Sequence, residues 1–296
     1  ARLATDFAAA HADALRELVG DDRLDLAAIH GQTVFHAPPL SWQLFTPAPV
    51  ARALRCPVVH DLRAADLAHG GQGAPITPLA DWILFRGDET RAVVNLGGFC
   101  NITLLPADNA DDAAIERIGG GDVCACNQVL DGIARARLGA PYDENGRAAL
   151  AAAANPPLVR AFAAMLRAQS TARRSLGTGD ELIAPLLAQS ASHPAAVVAR
   201  SACAAIAETI GAACASAGRV VLAGGGVRNQ ALVVELRARV SGALCASDDL
   251  GIPAGFREAA EMAVLGALCQ DGVPITLPQI TGVPAPAPVA GVWAYA

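Results

Sequence analysis

Lysine is absent from this 296-residue sequence, and all 22 basic residues are arginine. The absence excludes a lysine-based phosphate clamp and Schiff-base chemistry, because both need a primary amine side chain. The formal net charge is −6, and no run of basic residues is long enough to bind along a nucleic acid. We therefore expect no nucleic-acid partner.

Long apolar runs are also missing. The alanine-rich stretch at residues 148–155 is far shorter than the ~20 residues that a membrane helix needs. The sequence opens on a helical pattern without the apolar segment of a signal peptide. These absences predict a cytoplasmic protein without a membrane partner. The hydrophobic content of 53% is high enough for a large buried core.

Buried strands that end in glycine turns recur along the chain. The strand at Arg91–Leu96 breaks at Gly97 and Gly98 and resumes as a hairpin, and the strand at Arg219–Ala223 opens onto Gly224–Gly226. Helices are predicted at Leu3–Val19, Gln128–Leu138, Arg147–Ala154, Leu158–Gln169, Ala195–Ala217, Gln230–Val240 and Glu258–Cys269. This order predicts a mixed α/β fold, in which ligands bind at the strand ends. The plan occurs in both halves, which suits two related domains that face a cleft.

Asp122 lies between a run of three glycines and the predicted start of a helix. One interpretation is a helix N-cap, a position that favours carboxylates. The other is a general base that takes a proton from an attacking water or hydroxyl, as phosphoryl transfer to a sugar requires. The glycines at 224–226 also have two interpretations, a tight turn or a loop whose backbone N–H groups approach a phosphate or purine.

Polar side chains follow two further strands of the N-terminal part. His30, Gln32 and Thr33 form one cluster, and Arg63 with Asp66 forms another. A sugar site needs imidazole, amide and carboxylate groups that are held in place. Hydrogen bonding within the loops would also explain the two clusters.

A series of motifs runs in order through the whole chain. It comprises His30-Gly31-Gln32-Thr33-Val34 with His36, then Gln43, Arg63 with Asp66, Gly70-Gly71-Gln72-Gly73-Ala74-Pro75, Asn95–Thr103, Pro141-Tyr142-Asp143 with Gly146, Gly224–Gly226 with Asn229, Glu261, and Leu277-Pro278 with Thr281-Gly282. The series resembles the anhydro-N-acetylmuramic acid kinases, and its HGQTV and GGQGAP pieces are specific.

The resemblance implies an actin/hexokinase-like fold with two α/β domains around an ATP cleft. Residues 1–90 would be the remainder of the first, sugar-side domain, and residues 91–272 the second, nucleotide-side domain. Residues 273–296 would return to the first domain. The implied reaction opens the anhydro bridge of the cell-wall sugar with water while ATP, together with Mg²⁺, phosphorylates the sugar.

The resemblance also implies the residues of the site. Asp122 corresponds to the catalytic aspartate that activates the water. Gln43, Arg63 and Glu261 would contact the small-molecule sugar substrate. The nucleotide would lie against Gly97, Gly98, Asn127, Gly224, Gly225 and Asn229.

The sequence departs from the family pattern in three places. The family opens with a GTS-x-DG segment that grips the ATP phosphates and the metal, and nothing here matches it. We expect either that the chain lacks its N-terminus or that the grip is lost, and we expect a homodimer or a partner chain that supplies the segment.

The family's DTGPGN is DVCACN at Asp122–Asn127. Cysteines in place of glycines are expected to impede ATP, since glycines give clearance and backbone freedom. The basic motif before the family's STG loop is altered to Arg174-Ser175-Leu176-Gly177.

Three cysteines carry an alternative hypothesis. Cys124 and Cys126 lie in the altered loop and Cys100 in the glycine hairpin, so we expect them to converge. Three such thiolates could hold a [4Fe-4S] cluster with one open iron position, or a zinc ion, or the cysteines are small residues of a decayed ATP site. A disulfide between Cys124 and Cys126 is disfavoured because their spacing strains it. The other five cysteines are predicted to be mainly buried small hydrophobic residues.

Three functions are therefore open on the sequence. The first is an ATP-dependent sugar kinase of cell-wall recycling. The second is a kinase-derived protein that no longer transfers phosphate and carries a three-cysteine site. The third is a pseudokinase without catalysis or metal.

Overall fold

The computed structural model describes residues 2–109, 112–170, 176 and 182–296. The chain divides into two compact units. The first comprises Ala1–Leu84 with Glu258–Ala296, and the second comprises Phe85–Arg257. The domain limits at residues 90 and 272 stay a prediction. In the structure, the last long helix has its apolar residues in a core of the first unit.

The described residues contain ten β-strands and twelve α-helices, besides shorter helical turns and loops. The strands are β1 (Ala27–Ile29), β2 (Gln32–Ala37), β3 (Leu40–Leu44), β4 (Val58–His60), β5 (Arg91–Leu96), β6 (Phe99–Leu105), β7 (Gly119–Ala125), β8 (Arg219–Ala223), β9 (Ala243–Ala246) and β10 (Val292–Ala294). The helices are α1 (Arg2–Val19), α2 (Ala48–Leu54), α3 (Ala64–Ala68), α4 (Pro78–Phe85), α5 (Asn127–Ile133), α6 (Arg147–Leu150), α7 (Pro156–Ser170), α8 (Ile183–Gln189), α9 (Ala195–Ala213), α10 (Gln230–Arg237), α11 (Arg257–Gln270) and α12 (Pro278–Thr281). The predicted mixed α/β class is confirmed.

The first unit contains a three-stranded sheet in the order β1-β4-β10. β1 and β4 are parallel, and the tail strand β10 pairs antiparallel with β4. Successive side chains of β4 point to opposite faces, so the central strand is packed on both. Val58 lies in a core with Ala12 of α1 and Val50 of α2, and Val59 lies in a core with Leu265 of α11.

β2 and β3 form an antiparallel hairpin that the sequence analysis did not predict. Thr33 lies opposite Gln43, and Phe35 lies opposite Trp42. Phe35 and Trp42 are 49% and 56% exposed. A hairpin with exposed apolar residues lacks the clear alternation of buried and polar positions by which strands are detected.

A buried carboxylate joins three segments of the first unit. Asp66 of α3 has no exposed surface. Its Oδ1 accepts a hydrogen bond from the backbone N–H of Gly73 at 2.6 Å, and its Oδ2 accepts one from the hydroxyl of Thr281 at 2.7 Å. Gly71 packs so closely against this carboxyl group that any side chain there would collide with it. Asp66 thus connects α3, the GGQGAP segment and α12.

The second unit is built on a five-stranded sheet in the order β7-β6-β5-β8-β9. β5, β6 and β7 are antiparallel neighbours, whereas β8 is parallel to β5 and β9 is parallel to β8. The hairpin predicted around Gly97 and Gly98 and the strand predicted at Arg219–Ala223 are confirmed. Val93 and Val94 of the central strand have no exposed surface.

Helix α9 forms the centre of the packing in the second unit. Among its small side chains, Ala204, Ala205 and Ala207 have no exposed surface. Small residues let neighbouring helices approach closely. By length and composition α9 is the one helix of the described residues that could span a membrane, and 67% of its apolar stretch is buried inside the protein.

The glycine-rich segment before Asp122 is a strand rather than a loop. A Cβ at Gly120 of β7 would lie 2.6 Å from the carbonyl oxygen of Ile102 on β6. Glycine is therefore needed here for the close pairing of the two strands. The predicted helix after it ends as a short π-helix, Ala134–Leu138. The helix predicted at Arg147–Ala154 stops at Leu150.

We predict that Asp66→Ala lowers the free energy of unfolding by about 2–4 kcal/mol, because two buried donors lose their acceptor. Equilibrium urea denaturation measures the change. Exposed Asp22→Ala in the same unit is the matched control and should stay within about 0.5 kcal/mol of wild type. Equal stability of both variants would contradict the structural role of Asp66.

Candidate active site

Two glycine turns lie side by side in the second unit. β5 and β8 are parallel, and Asn95 near the end of β5 is in register with Ala223 at the end of β8. The chain turns at Gly97 and Gly98 after β5 and at Gly224–Gly226 after β8. The register therefore brings together the two glycine sets that the sequence assigned to the nucleotide.

Two of the glycines after β8 are required by close packing. Gly224 has φ +82°, and a side chain there would collide with the Oδ1 atom of Asn95. A Cβ at Gly226 would lie 2.6 Å from the Cβ of Leu96. Gly225 differs, because within the described residues nothing beyond its own chain neighbours and helical turn lies within 4 Å of the place where its Cβ would stand. The tight-turn interpretation holds for Gly224 and Gly226, and Gly225 faces open space.

The segment between β7 and α5 is fixed to the first glycine turn. The backbone N–H groups of Cys126 and Asn127 donate to the carbonyl oxygens of Gly98 and Gly97 at 2.8 and 3.0 Å. The Asn127 side chain donates to the carbonyl oxygen of Leu96 at 2.8 Å. The start of α5 is therefore held at the end of β5.

A pocket of about 340 Å³ opens beside these turns. Asn127, Gly225 and Asn229, three of the six predicted nucleotide residues, are among its lining residues. Asn229 is also the N-cap of α10, because its Oδ1 accepts from the backbone N–H of Leu232 at 3.1 Å. Arg228 supplies a positive charge at the glycine turn. The pocket thus combines open backbone and amide groups with one cation, Arg228, and three carboxylates, Asp131, Asp143 and Glu144.

Asp122 lies in β7, opposite Asn101 of β6. The N-cap position of α5 belongs to Cys126, so the N-cap interpretation of Asp122 is wrong. Its Oδ2 accepts a hydrogen bond from the backbone N–H of Leu176 at 2.5 Å. Asp122 is partly exposed, as a general base must be to meet its substrate. Arg174, Ser175 and Gly177 of the altered basic motif lie outside the described residues.

In the first unit, Arg63 is held by two partners. Its Nε and Nη2 lie 3.2 and 2.9 Å from Nε2 of His30, and its Nη1 donates to the carbonyl oxygen of Gly73 at 2.6 Å. On its other side, His30 Nδ1 lies 2.9 Å from the carbonyl oxygen of Gly31. Burial and the Arg63 charge lower the pKa of His30.

Gln43 belongs to a polar network on the β2–β3 hairpin. Its amide nitrogen donates to the hydroxyl oxygens of Ser41 and Thr33 at 2.9 and 3.4 Å. Ser41 Oγ also lies 2.9 Å from Nδ1 of His36. Burial and the charge of Arg63 lower the pKa of His36. His36 therefore contacts the Gln43 network through Ser41 and is influenced electrostatically by Arg63.

Glu261, the third predicted sugar contact, lies on α11 and has no exposed surface. Glu258 precedes it by three residues and acts electrostatically on His30. Residues three apart share a helix face. Glu261 therefore shares a helix face with Glu258.

The three cysteines of the cluster hypothesis lie in the core. Cys100 and Cys124 are directly opposite each other on β6 and β7, and both, like Cys126, have no exposed surface within the apolar core of the second unit. Burial raises the pKa of Cys124 to about 12 and raises the pKa values of Cys100 and Cys126 well above the ordinary value, with neighbouring thiols contributing.

In the metal-free protein these thiols stay protonated, so a metal or cluster would first have to displace their protons. No group of three or more His, Cys, Asp or Glu residues in the described part of the chain is arranged to hold a metal ion. The expected proximity of the cysteines is observed, at least for Cys100 and Cys124. The iron–sulfur or zinc hypothesis built on it finds no support.

The cysteines also do not obstruct the pocket. Neither Cys124 nor Cys126 is among its lining residues. No residue between Asp122 and Asn127 has a positive φ, so this segment does not depend on the backbone freedom of glycine. Neither physical reason for expecting the two cysteines to impede ATP is therefore observed at this pocket, and the effect on ATP stays a prediction.

A family model for anhydro-N-acetylmuramic acid kinase matches residues 1–295 of the chain. The chain belongs to this family. A curated anhydro-N-acetylmuramic acid kinase of Bordetella pertussis is 36% identical over 296 residues, which cover 94% of this chain and 76% of the relative. A second, from Synechococcus sp., is 35% identical over 301 residues, covering 95% and 79%.

Solved structures show weaker similarity. A ROK family glucokinase from Streptomyces griseus in complex with glucose and AMPPNP has a TM-score of 0.38 at 15% identity, covering 86% of this chain and 87% of the other. An activator of 2-hydroxyisocaproyl-CoA dehydratase from Clostridium difficile has a TM-score of 0.42 at 13% identity, covering 71% and 66%. Scores this low support no argument about function. The actin/hexokinase-like class is confirmed through the anhydro-N-acetylmuramic acid kinase family.

Several residues of the two sites were not assigned a role from the sequence. In the first unit these are His36 and Ser41, whereas His30 and Thr33 belong to the polar cluster that the sequence offered for a sugar site. In the second, Tyr142, Asp143 and Arg228 line the pocket. Most of them lie within the family motifs, which could have marked them as candidate site residues. Only the folded chain shows which of these side chains contact each other.

We predict that Ellman's reagent titrates about one thiol rapidly in the native protein and all eight after denaturation. Cys245 is the one cysteine that is not fully buried. Rapid reaction of three or more thiols, or bound iron with visible absorption after anaerobic purification, would contradict the buried, protonated state and restore the cluster hypothesis.

Proposed function

We propose that this member of the anhydro-N-acetylmuramic acid kinase family is an active ATP-dependent kinase of that sugar. It opens the anhydro bridge with water and transfers a phosphoryl group from ATP to the sugar. The single observation that carries the proposal is Asp122. It is partly exposed on β7, in the unit whose glycine turns form an open pocket, although the loop that follows it has changed.

Asp122 is proposed as the general base. A carboxylate that accepts a proton from water makes the water nucleophilic at the anomeric carbon, and the bridge oxygen then becomes the hydroxyl that attacks the γ-phosphate. The backbone N–H of Leu176 holds one carboxylate oxygen. This bond orients the carboxylate.

The pocket in the second unit fits the nucleotide. Gly225 presents backbone without neighbouring atoms where its Cβ would stand, and Arg228 and Asn229 border the same space. Backbone N–H groups at a glycine turn before a helix are suited to phosphate oxygens. Mg²⁺ would arrive bound to ATP, with phosphate oxygens and water as ligands. The described residues offer no separate metal cage.

The sugar is proposed to bind to the first unit. Arg63 offers a planar donor group, Gln43 an amide and Glu261 a carboxylate. Together they supply both donors and acceptors for the hydroxyl, amide and carboxylate groups of the sugar. The hydrogen bonds that hold Arg63 and Gln43 keep both side chains in fixed orientations, which lowers the entropic cost of binding.

A pseudokinase remains the second candidate, because the family's DTGPGN motif reads DVCACN at Asp122–Asn127. A homodimer, a partner chain and a cytoplasmic location stay predictions. The direct test incubates the protein with ATP and 1,6-anhydro-N-acetylmuramic acid in isotope-labelled water. Phosphorylated sugar with label at the anomeric carbon supports the kinase, and nucleotide binding without product supports the pseudokinase.

We predict that Asp122→Asn lowers kcat by about 10²–10⁴-fold, because the amide cannot accept the proton. The melting temperature and the affinity for ATP should change little. Exposed Asp88→Asn in the same unit is the charge-matched control and should retain wild-type kinetics. Near-normal turnover by Asp122→Asn would remove this residue from the mechanism.

Two neighbouring glycines give a matched pair for the nucleotide pocket. Gly224→Ala should destabilise the protein by about 1–3 kcal/mol, because its φ is left-handed and its Cβ meets Asn95. Gly225→Ala should keep the wild-type melting temperature, because its Cβ has room. It should weaken ATP binding by about 10-fold or more, because the added methyl group would keep a phosphate from hydrogen bonding to the backbone. Calorimetric titration with ATP and thermal unfolding separate the two effects. Unchanged ATP affinity in Gly225→Ala would place the nucleotide elsewhere.

A further inference from the structure

His30 and Arg63 form a side-chain pair that takes no part in the proposed reaction steps. Two guanidinium nitrogens lie within 3.2 Å of a single imidazole nitrogen, Nε2 of His30. Arginine has only donors to offer. Nε2 must therefore be the acceptor, and His30 must be neutral with its proton on Nδ1.

The other ring nitrogen agrees with this assignment. His30 Nδ1 lies 2.9 Å from the carbonyl oxygen of Gly31, which can only accept. His30 thus receives a hydrogen bond from Arg63 on one side and donates one to the backbone on the other. Both bonds are satisfied only by the neutral ring with the proton on Nδ1.

We infer that His30 is a positioning residue that holds Arg63 in its sugar-binding orientation. The inference rests on the proposed function, because it takes Arg63 as a sugar contact. The carbonyl oxygen of Gly73 holds Nη1 of Arg63 from another segment. Two acceptors on different segments fix the plane of the guanidinium, so that bidentate recognition of the substrate carboxylate or hydroxyls requires no further ordering.

Protonation of His30 would break this arrangement. An imidazolium has no acceptor and would carry a positive charge next to the guanidinium. The charges around His30 are Arg63, which opposes protonation, and Glu258 on α11 and Asp61 after β4, which favour it. Burial adds to the effect of Arg63, and the net direction is a lowered pKa. His30 therefore stays neutral at neutral pH, and the arrangement is lost as pH falls through its lowered pKa.

The test compares His30→Gln, which keeps an acceptor but cannot protonate, with His30→Ala, which has no acceptor. KM for the anhydro sugar and kcat are measured from about pH 8 to about pH 5. His30→Ala should raise KM about 10-fold at neutral pH with little change in kcat. His30→Gln should keep KM within about threefold of wild type and lose the acid-side rise in KM that wild type shows. Exposed His69→Gln is the matched control and should follow wild type throughout.

Three outcomes would overturn the inference: an unchanged KM in His30→Ala, an acid-side rise in KM that persists in His30→Gln, or equal defects in both variants. If wild type forms no phosphorylated sugar at any pH, the proposed function fails instead. The pair is then tested without turnover by nitrogen NMR of the His30 ring. A neutral ring with its proton on Nδ1, whose pKa rises in Arg63→Ala, supports the pairing, and the opposite tautomer refutes it.

Discussion

The close approach of the turn after β8 to the end of β5 is the constraint on which the second unit depends. Gly224 and Gly226 leave room for Asn95 and Leu96 because neither carries a side chain. The parallel register of β5 and β8 then continues to the ends of both strands. Gly225 is left facing open space, and α10 begins five residues later at Gln230, capped by Asn229. The pocket follows from this packing before any ligand is considered.

The same strand end also holds the segment between β7 and α5. Asn127 and the backbone N–H groups beside it bond to the carbonyl oxygens at the end of β5 and in its turn. These hydrogen bonds are made by the backbone and by the Asn127 side chain, so they do not use the side chains of Cys124 and Cys126. Both cysteines instead fill volume in the apolar core, as small, buried thiols do.

The residues of the two candidate sites are held in place by different kinds of interaction. The candidate nucleotide pocket is formed where two backbone segments approach each other closely, and this close approach requires glycine. The sugar-side site is formed by side chains that hold other side chains: His30 holds Arg63, and Ser41 and Thr33 hold Gln43. Such networks are sensitive to protonation, since one added proton on an imidazole turns an acceptor into a donor. The buried Asp66 supports this side by fixing the segment that contains Gly73.

The sequence by itself determined the family, the α/β class, the glycine turns and the strands at Arg91–Leu96 and Arg219–Ala223. These features depend on local patterns and on motifs that survive as strings of residues. It did not determine the β2–β3 hairpin, the strand that contains Asp122, or the state of the cysteines. Spacing alone allows Cys100, Cys124 and Cys126 to be metal ligands or core residues equally well. Only the tertiary structure decided between them, because burial sets both the pKa of a thiol and the space around it, and burial is a property of the whole fold.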